Sequence, residues 1–424
     1  MTFVSKLALA AVLTLGSTAL TVTPAAAQKK KDEKKDENTL KVSEAFRVPA
    51  AEADALVKAK DWAGAEPKIA AAEAAAQNDD EKYYAARMRF LLEVNRNSAE
   101  GQLRALPILV ASPRTPPADL KIYQAQYYFL QGEAASNAKK HAEAIPLLLK
   151  AREAGSKQPD ISVMLANAYA ATGKQAEAIA ETDNAIQASK AAGRKPPESY
   201  YRFAISRVNA SGDRQALASW LSRYITEFPT VANWRWAIVT FRETAGQPAA
   251  SDRMAKIAKI DMFRLMRATN TLADRGDYAD YAYSAQSTGL PWEAVAVIDE
   301  GRKSGKLTAT DADTTRTYAA SQTQAKNEGS LDKQATAAKT GADLANVADA
   351  YLASGDYAKA LGLYDQALAK GGVDANEINL HRGIALHHLG RKDEAKAAFR
   401  AVNGGPFANL ATLWQASLDI PPLA

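Results

Sequence analysis

Four histidines, several close acidic pairs and two tryptophans near one another are the residues of this chain whose types suit chemistry. The histidines are His141, His381, His387 and His388. His381 and His388 lie seven positions apart. On a helix that puts them on one face but about 10 Å apart, too far to serve as direct ligands of one metal. They read as surface or groove-lining side chains. Asp79-Asp80 and the Asp311/Asp313 pair have the composition of a general acid and base, yet both stand where helices begin. There, carboxylates cap free backbone N–H groups and oppose the helix dipole. Trp234 and Trp236, two residues apart, cannot face the same way on a helix. One belongs in the core, and the other, Trp236, is the candidate anchor for a peptide or a sugar ring.

Nothing in the chain forms a phosphate-cradling glycine loop, a nucleophile elbow or a paired-histidine zinc motif. There is no cysteine, which excludes disulfides, zinc-thiolate sites, a cysteine nucleophile and the acylated cysteine of a bacterial lipoprotein. The expectation is a protein with no catalytic residues, no metal and no cofactor, one that presents surfaces.

The elements that carry these side chains read as helices. From about residue 42 onward, alanine- and leucine-rich segments with apolar spacing of three and four alternate with short Gly, Pro, Asp or Asn punctuation. No sustained alternation of apolar and polar residues indicates a sheet. One phrase recurs: a turn residue, a short polar or aromatic pair, an alanine, then an apolar position four later. Gly355-Asp356-Tyr357-Ala358-Lys359-Ala360, followed by Tyr364, is the clearest copy. Gly390 to Ala395, followed by Phe399, comes next, with Ala360 and Ala395 separated by 35 residues. Ala144 and Ala178 centre a second pair, 34 residues apart. Degenerate copies stand at Asp61 to Ala65, at Gly212-Asp213-Arg214 with Leu217, and at Gly289 to Ala294.

These residues resemble the tetratricopeptide repeat, a 34-residue helix-turn-helix unit. The bulky, small and aromatic places of its first helix are held by Leu344, Ala348 and Tyr351 before Ala360, and by Ser162, Ala166 and Tyr169 before Ala178. The resemblance is strongest over about 120 to 228 and 340 to 403. Ser162, Thr182 and Leu386 depart from it, and Ala191 to Pro197 lengthens one period, where the array should bend or loosen. It implies an all-α fold, a right-handed α-solenoid of antiparallel helix pairs whose inner helices line a concave groove for an extended peptide or a helix. Carried over repeat by repeat, the groove positions are Asn167, Arg202, Ser206, Asn209, Asp349, His387 and His388, with Trp236 added from its own chemistry. Val163 and Phe203 hold neighbouring positions of the family's carboxylate clamp, which argues against a receptor for chaperone tails.

The remaining features set the boundaries. Lys6, an apolar run from Leu7 to Val22 and Pro24-Ala25-Ala26-Ala27 have the layout of a secretory signal peptide cut after Ala27. Residues 28–41 form a disordered charged linker, in which the mixed-sign block 28–38 has no apolar residue to bury. An N-terminal array is expected over 42–304 and a C-terminal one over 318–424, with the break near 305–317. A last helix carrying Phe407, Leu410, Trp414 and Leu418 should cover the final repeat.

Lysine and arginine number 53 against 48 aspartate and glutamate, a net +5. The charges are intermixed, unlike the clustered basic face of a nucleic-acid binder. The expectation is a periplasmic or secreted scaffold, not embedded in a membrane, that holds a protein or peptide in envelope assembly, secretion or polysaccharide export. The alternatives are a glycan- or cell-wall-binding module, a carbohydrate-active helical toroid, and a self-associating structural protein; oligomeric state is not legible.

Overall fold

A computed structural model describes residues 42–243 and 252–423. The signal segment 1–27 and the linker 28–41 lie outside these residues. Among those described there are 21 helices and no strand, and none of the helices is long and apolar enough to cross a membrane. The fold is an all-α helical solenoid.

The chain divides into two compact units, one through Glu177 and one from Ala178. In the first, α1 (Glu44–Lys58) pairs with α2 (Trp62–Ala75), α3 (Asp79–Asn95) with α4 (Ala99–Ala111), and α5 (Pro117–Asn137) with α6 (His141–Glu153), followed by α7 (Ile161–Ala171). Helix α8 (Gln175–Ala191) crosses the boundary. The second unit continues with α9 (Glu198–Ser211) packed on α10 (Arg214–Glu227), then α11 (Val231–Glu243) and α12 (Arg253–Ala268). After these come α13 (Arg275–Ser287) paired with α14 (Pro291–Lys303), then α15 (Ala312–Glu328) and the short α16 (Leu331–Ala337). Helix α17 (Gly341–Ser354) pairs with α18 (Tyr357–Lys370), α19 (Ala375–His388) with α20 (Lys392–Arg400), and α21 (Gly405–Asp419) ends the series. Residues 305–317, the expected junction, fall inside the second unit. There, α14 packs on both α15 and α17, and Arg275 bonds to Asp311 and Asp313.

The recurring alanine explains the pairing. Ala65, Ala144, Ala178, Ala294, Ala360 and Ala395 are all 0% exposed, so the position is equally buried in the clear copies and in two degenerate ones. A methyl group there lets the helices of a pair approach, while larger side chains fill the space between neighbouring pairs. The departures are accommodated locally. Thr182 is buried and donates its hydroxyl to the Ala178 carbonyl, and Leu386 fills the aromatic's place in the core.

Starts and stops follow local chemistry. Asn78 and Glu81 form a capping box on α3, as do Thr340 and Asp343 on α17. Gly355 closes α17 at φ +85°, a left-handed conformation that costs glycine little. The acidic pairs are structural: Asp79 and Asp80 occupy the first turn of α3, with Asp80 bound to Arg114, and Asp311 precedes the first turn of α15.

Helix α21 covers α19 and α20 as a cap should, with Trp414 stacked on Phe399 at 5.7 Å. It also packs on α10 and α12, and Leu423 pairs with Thr230 in an isolated bridge. Leu413, outside the expected stripe, is buried along with Phe407, Leu410 and Trp414. The helix is apolar on two faces because it has neighbours on two sides.

The crossing of α19 and α20 is tight enough to exclude even a methyl group, since a Cβ on Gly383 would stand 2.3 Å from the Phe399 ring. Gly383→Ala should therefore cost about 1–3 kcal/mol and lower the urea midpoint. Gly362→Ala, with nothing within 4 Å of the added Cβ, should be neutral or stabilising by up to ~1 kcal/mol.

Candidate functional site

Helix α12 places charges where a soluble helix normally keeps apolar side chains. In its run Ile260-Asp261-Met262-Phe263-Arg264-Leu265-Met266 every residue is buried, Asp261 at 0% and Arg264 at 6% exposure. Ions taken out of water need close, hydrogen-bonded counter-charges, and the neighbouring helices supply them. Arg264 bonds to Asp261 at 2.9 Å and makes a bidentate contact with Glu293 of α14 at 2.8 and 2.6 Å. Tyr281 of α13 donates its hydroxyl to the same Glu293 and stacks on Phe263 at 5.1 Å. Burial works against the charge of Arg264, but Glu293 and Asp261 more than offset it and hold its pKa well above the usual value.

On its other side Asp261 meets α19. His381 Nε2 lies 3.1 Å from Asp261, and its Nδ1 lies 2.8 Å from Asp349 of α17. Tyr364 of α18 donates to the same Asp349 oxygen, Oδ1, at 2.6 Å. Burial alone would lower the His381 pKa, yet the two carboxylates outweigh it and raise it to about 10. His381 is thus an imidazolium that donates from both nitrogens. One turn earlier on α19, Glu377 receives Arg253 of α12 through two bonds of 3.1 Å.

Asp349, Glu377 and His381 bring ligand-type atoms within 4.8 Å of one another, the one such group among the described residues. His381 has no free lone pair to offer a metal while both its nitrogens face carboxylates, and Glu377 is occupied by Arg253. His381 and Glu377 are engaged in ion pairs.

Beside it opens a cavity of about 500 Å³, lined by one face of α12, the α13–α14 turn, Glu328, Gln334, α17 and His381. Ile257, Ile260, Val347 and Trp292 form apolar walls, Arg264, His381 and Asp349 its charged floor, and Arg253, Lys256 and Asn346 part of its rim.

The residues chosen from the sequence separate into groups. Asp349 is in this cluster. Arg202 and Trp236 meet elsewhere in the second unit: the guanidinium lies 4.4 Å from the Trp236 ring centre and bonds to Glu198 and Tyr224. Trp234 is fully buried and Trp236 half-buried, its ring edge-on to Tyr224. Ser206 is exposed on α9, and Asn209, on the same helix, is half-buried. Asn167 is exposed on α7 of the first unit. His387 lies against Trp414, and His388 stacks on Tyr357 at 4.3 Å. Of the surface or groove-lining reading of His381 the surface half is corrected: its side chain is 2% exposed, held between two carboxylates, and lines the cavity. The counter-charges Asp261, Arg264 and Glu293 were not singled out from the sequence. The available signal was an aspartate and an arginine three apart within an otherwise apolar run.

Helix pairs centred on a buried alanine, repeated in both units, define a repeat protein of the α-solenoid class. Residues 129–194 and 348–409 match the tetratricopeptide repeat family, and the chain is a tetratricopeptide-like repeat protein whose architecture serves protein–protein interaction. No curated protein sequence matches the chain. Among solved structures, Naa15/Naa10 bound to HypK-THB is 14% identical at a TM-score of 0.27, aligned over 84% of this chain and 58% of that one. The chain therefore spans less than two thirds of that relative. The Rap protein complexed with competence and sporulation factor is 12% identical at a TM-score of 0.23, covering 88% of this chain and 99% of that one. The Cut9–Hcn1 hetero-tetramer of APC/C is 12% identical at 0.19, covering 88% and 96%.

The raised His381 pKa has a definite sign. Its proton stabilises the fold fully below the unfolded value of about 6.5, and that contribution is lost as pH rises towards about 10. Stability of the native chain should therefore fall across this window by up to about 1.4 kcal/mol per pH unit relative to His381→Gln. Urea unfolding of both chains between these pH values checks it, and parallel curves would contradict it.

Proposed function

We propose that this chain is an exported scaffold of the cell envelope that holds a polypeptide partner and performs no chemistry of its own. The observation that carries this reading is the recurrence of tetratricopeptide-like helix pairs in both units, an architecture whose usual work is to display side chains to another chain. The described residues are consistent with it. In the titratable cluster with the most perturbed groups, both nitrogens of His381 and the guanidinium of Arg264 are engaged by carboxylates, which leaves neither free to serve as an acid towards substrate.

Export is read from the sequence of residues 1–27, and a role in envelope assembly, secretion or polysaccharide export follows from combining export with a scaffold. The sugar-platform reading of Trp236 has less support, since Arg202 and Tyr224 already occupy the neighbourhood of its ring.

Cells expressing the tagged protein should show it in the periplasmic or secreted fraction, shortened by a cut after Ala27 on N-terminal sequencing. Crosslinking in those cells, followed by mass spectrometry, should recover a defined envelope protein. Retention of residues 1–27 in a cytoplasmic product would contradict export. Recovery of only the chain itself or of cell-wall fragments would contradict the scaffold.

A further inference from the structure

The floor of the cavity beside α12 has one unused acceptor. Both bonds to Asp349, from His381 and from Tyr364, end on Oδ1. Its second oxygen, Oδ2, accepts no hydrogen bond from the described residues, although Asp349 lines the cavity and its side chain is only 14% exposed. A carboxylate oxygen in such a place is a strong acceptor, because the low surrounding dielectric strengthens whatever it meets.

The balance of charge around it has a sign. The buried cations His381 and Arg264 face three carboxylates, those of Asp261, Asp349 and Glu293, which leaves one negative charge in excess. Arg253 is bonded to Glu377, and the remaining charged lining residues, Lys256 and Glu328, carry opposite signs. Burial would raise the Asp349 pKa, but His381 and Tyr364 prevail and lower it, so the carboxylate stays ionised. The walls complete the picture, with Ile257, Ile260 and Val347 offering apolar surface to methylene groups and Trp292 an aromatic ring.

We propose that this cavity receives a basic side chain, lysine or arginine, from a partner polypeptide, with its ammonium or guanidinium bound to Asp349 Oδ2. The inference rests on the scaffold reading and names the chemistry of what the scaffold holds. The volume of about 500 Å³ lies within the range of ligand pockets, ~300–1,000 Å³, with room for one such side chain and the backbone that carries it. The stem packs on the walls while the charged head reaches the floor, the arrangement long cationic side chains favour, and Trp292 adds a cation–π contribution.

Isothermal titration of the full chain at low salt, with acetylated and amidated Gly-Gly-Lys-Gly-Gly and its arginine and glutamate counterparts, tests the proposal. The lysine or arginine peptide should bind and the glutamate peptide should not. Asp349→Asn keeps an acceptor for His381 and Tyr364 but removes the charge, and should weaken binding by about tenfold or more, the loss expected for a charge-assisted bond. Asn346→Arg, at an exposed position of the rim, should weaken it as much without changing the unfolding temperature, which keeps the test decisive if the Asp349 variant does not fold. Preference for the glutamate peptide, binding by none of the three, or undiminished affinity in Asn346→Arg would overturn the proposal. The scaffold reading is tested separately, since a partner captured in cells alongside peptides that do not bind would sink the pocket alone.

Discussion

A line of buried charge runs from Glu293 through Arg264, Asp261 and His381 to Asp349, and the organisation of the second unit depends on it. Removing either cation leaves a carboxylate, Glu293 or Asp349, without its counter-charge in a low-dielectric interior, at a cost of several kcal/mol. The line fixes α12 against α14 on one side and against α17 and α19 on the other, joining residues about 120 positions apart in the chain. Apolar packing alone is tolerant of small sliding motions, whereas bidentate and doubly donating contacts demand one geometry. The cavity opens beside α12 where Asp261 of α12 and Asp349 of α17 are bridged by His381 of α19 instead of packing on one another.

Elsewhere the fold rests on a different constraint, the small residue at each helix crossing. Ala65 and Ala144 in the first unit and Ala294, Ala360 and Ala395 in the second are fully buried, and Gly383 takes the same logic to its limit against Phe399. Close approach at these points lets short helices with modest apolar surface form continuous cores. The buried residues of the first unit form two such cores, one over α1 to α3 and one over α3 to α7, and those from Ile186 onward a third.

The candidate site was partly legible. Asp349 was chosen as a groove position because the repeat register places it on an inner helix, and the register depends on local spacing that any reader of the sequence has. Trp234 and Trp236 divided as helical geometry requires, one into the core and one half-buried beside Arg202. His381 was read as a surface or groove-lining residue, and its burial as a cation was missed because it depended on Asp261, which reaches it from a helix outside the repeat phrase. Likewise Leu413 gave no sign of burial, since the second face of α21 matters only once α10 and α12 pack against it.

Sequence by itself determined the helical class, the repeat phrase with its buried alanines, the capping residues at helix starts and the absence of cysteine chemistry. These are set by neighbours within a few turns, where spacing and side-chain type are sufficient causes. Only the tertiary structure decided that α12 brings charges into the core, that His381 becomes a buried cation between two aspartates, and that Asp349 lines a cavity. Those outcomes depend on which distant helices meet and at what separation, and the free energy of a buried charge is settled by partners that no local pattern specifies.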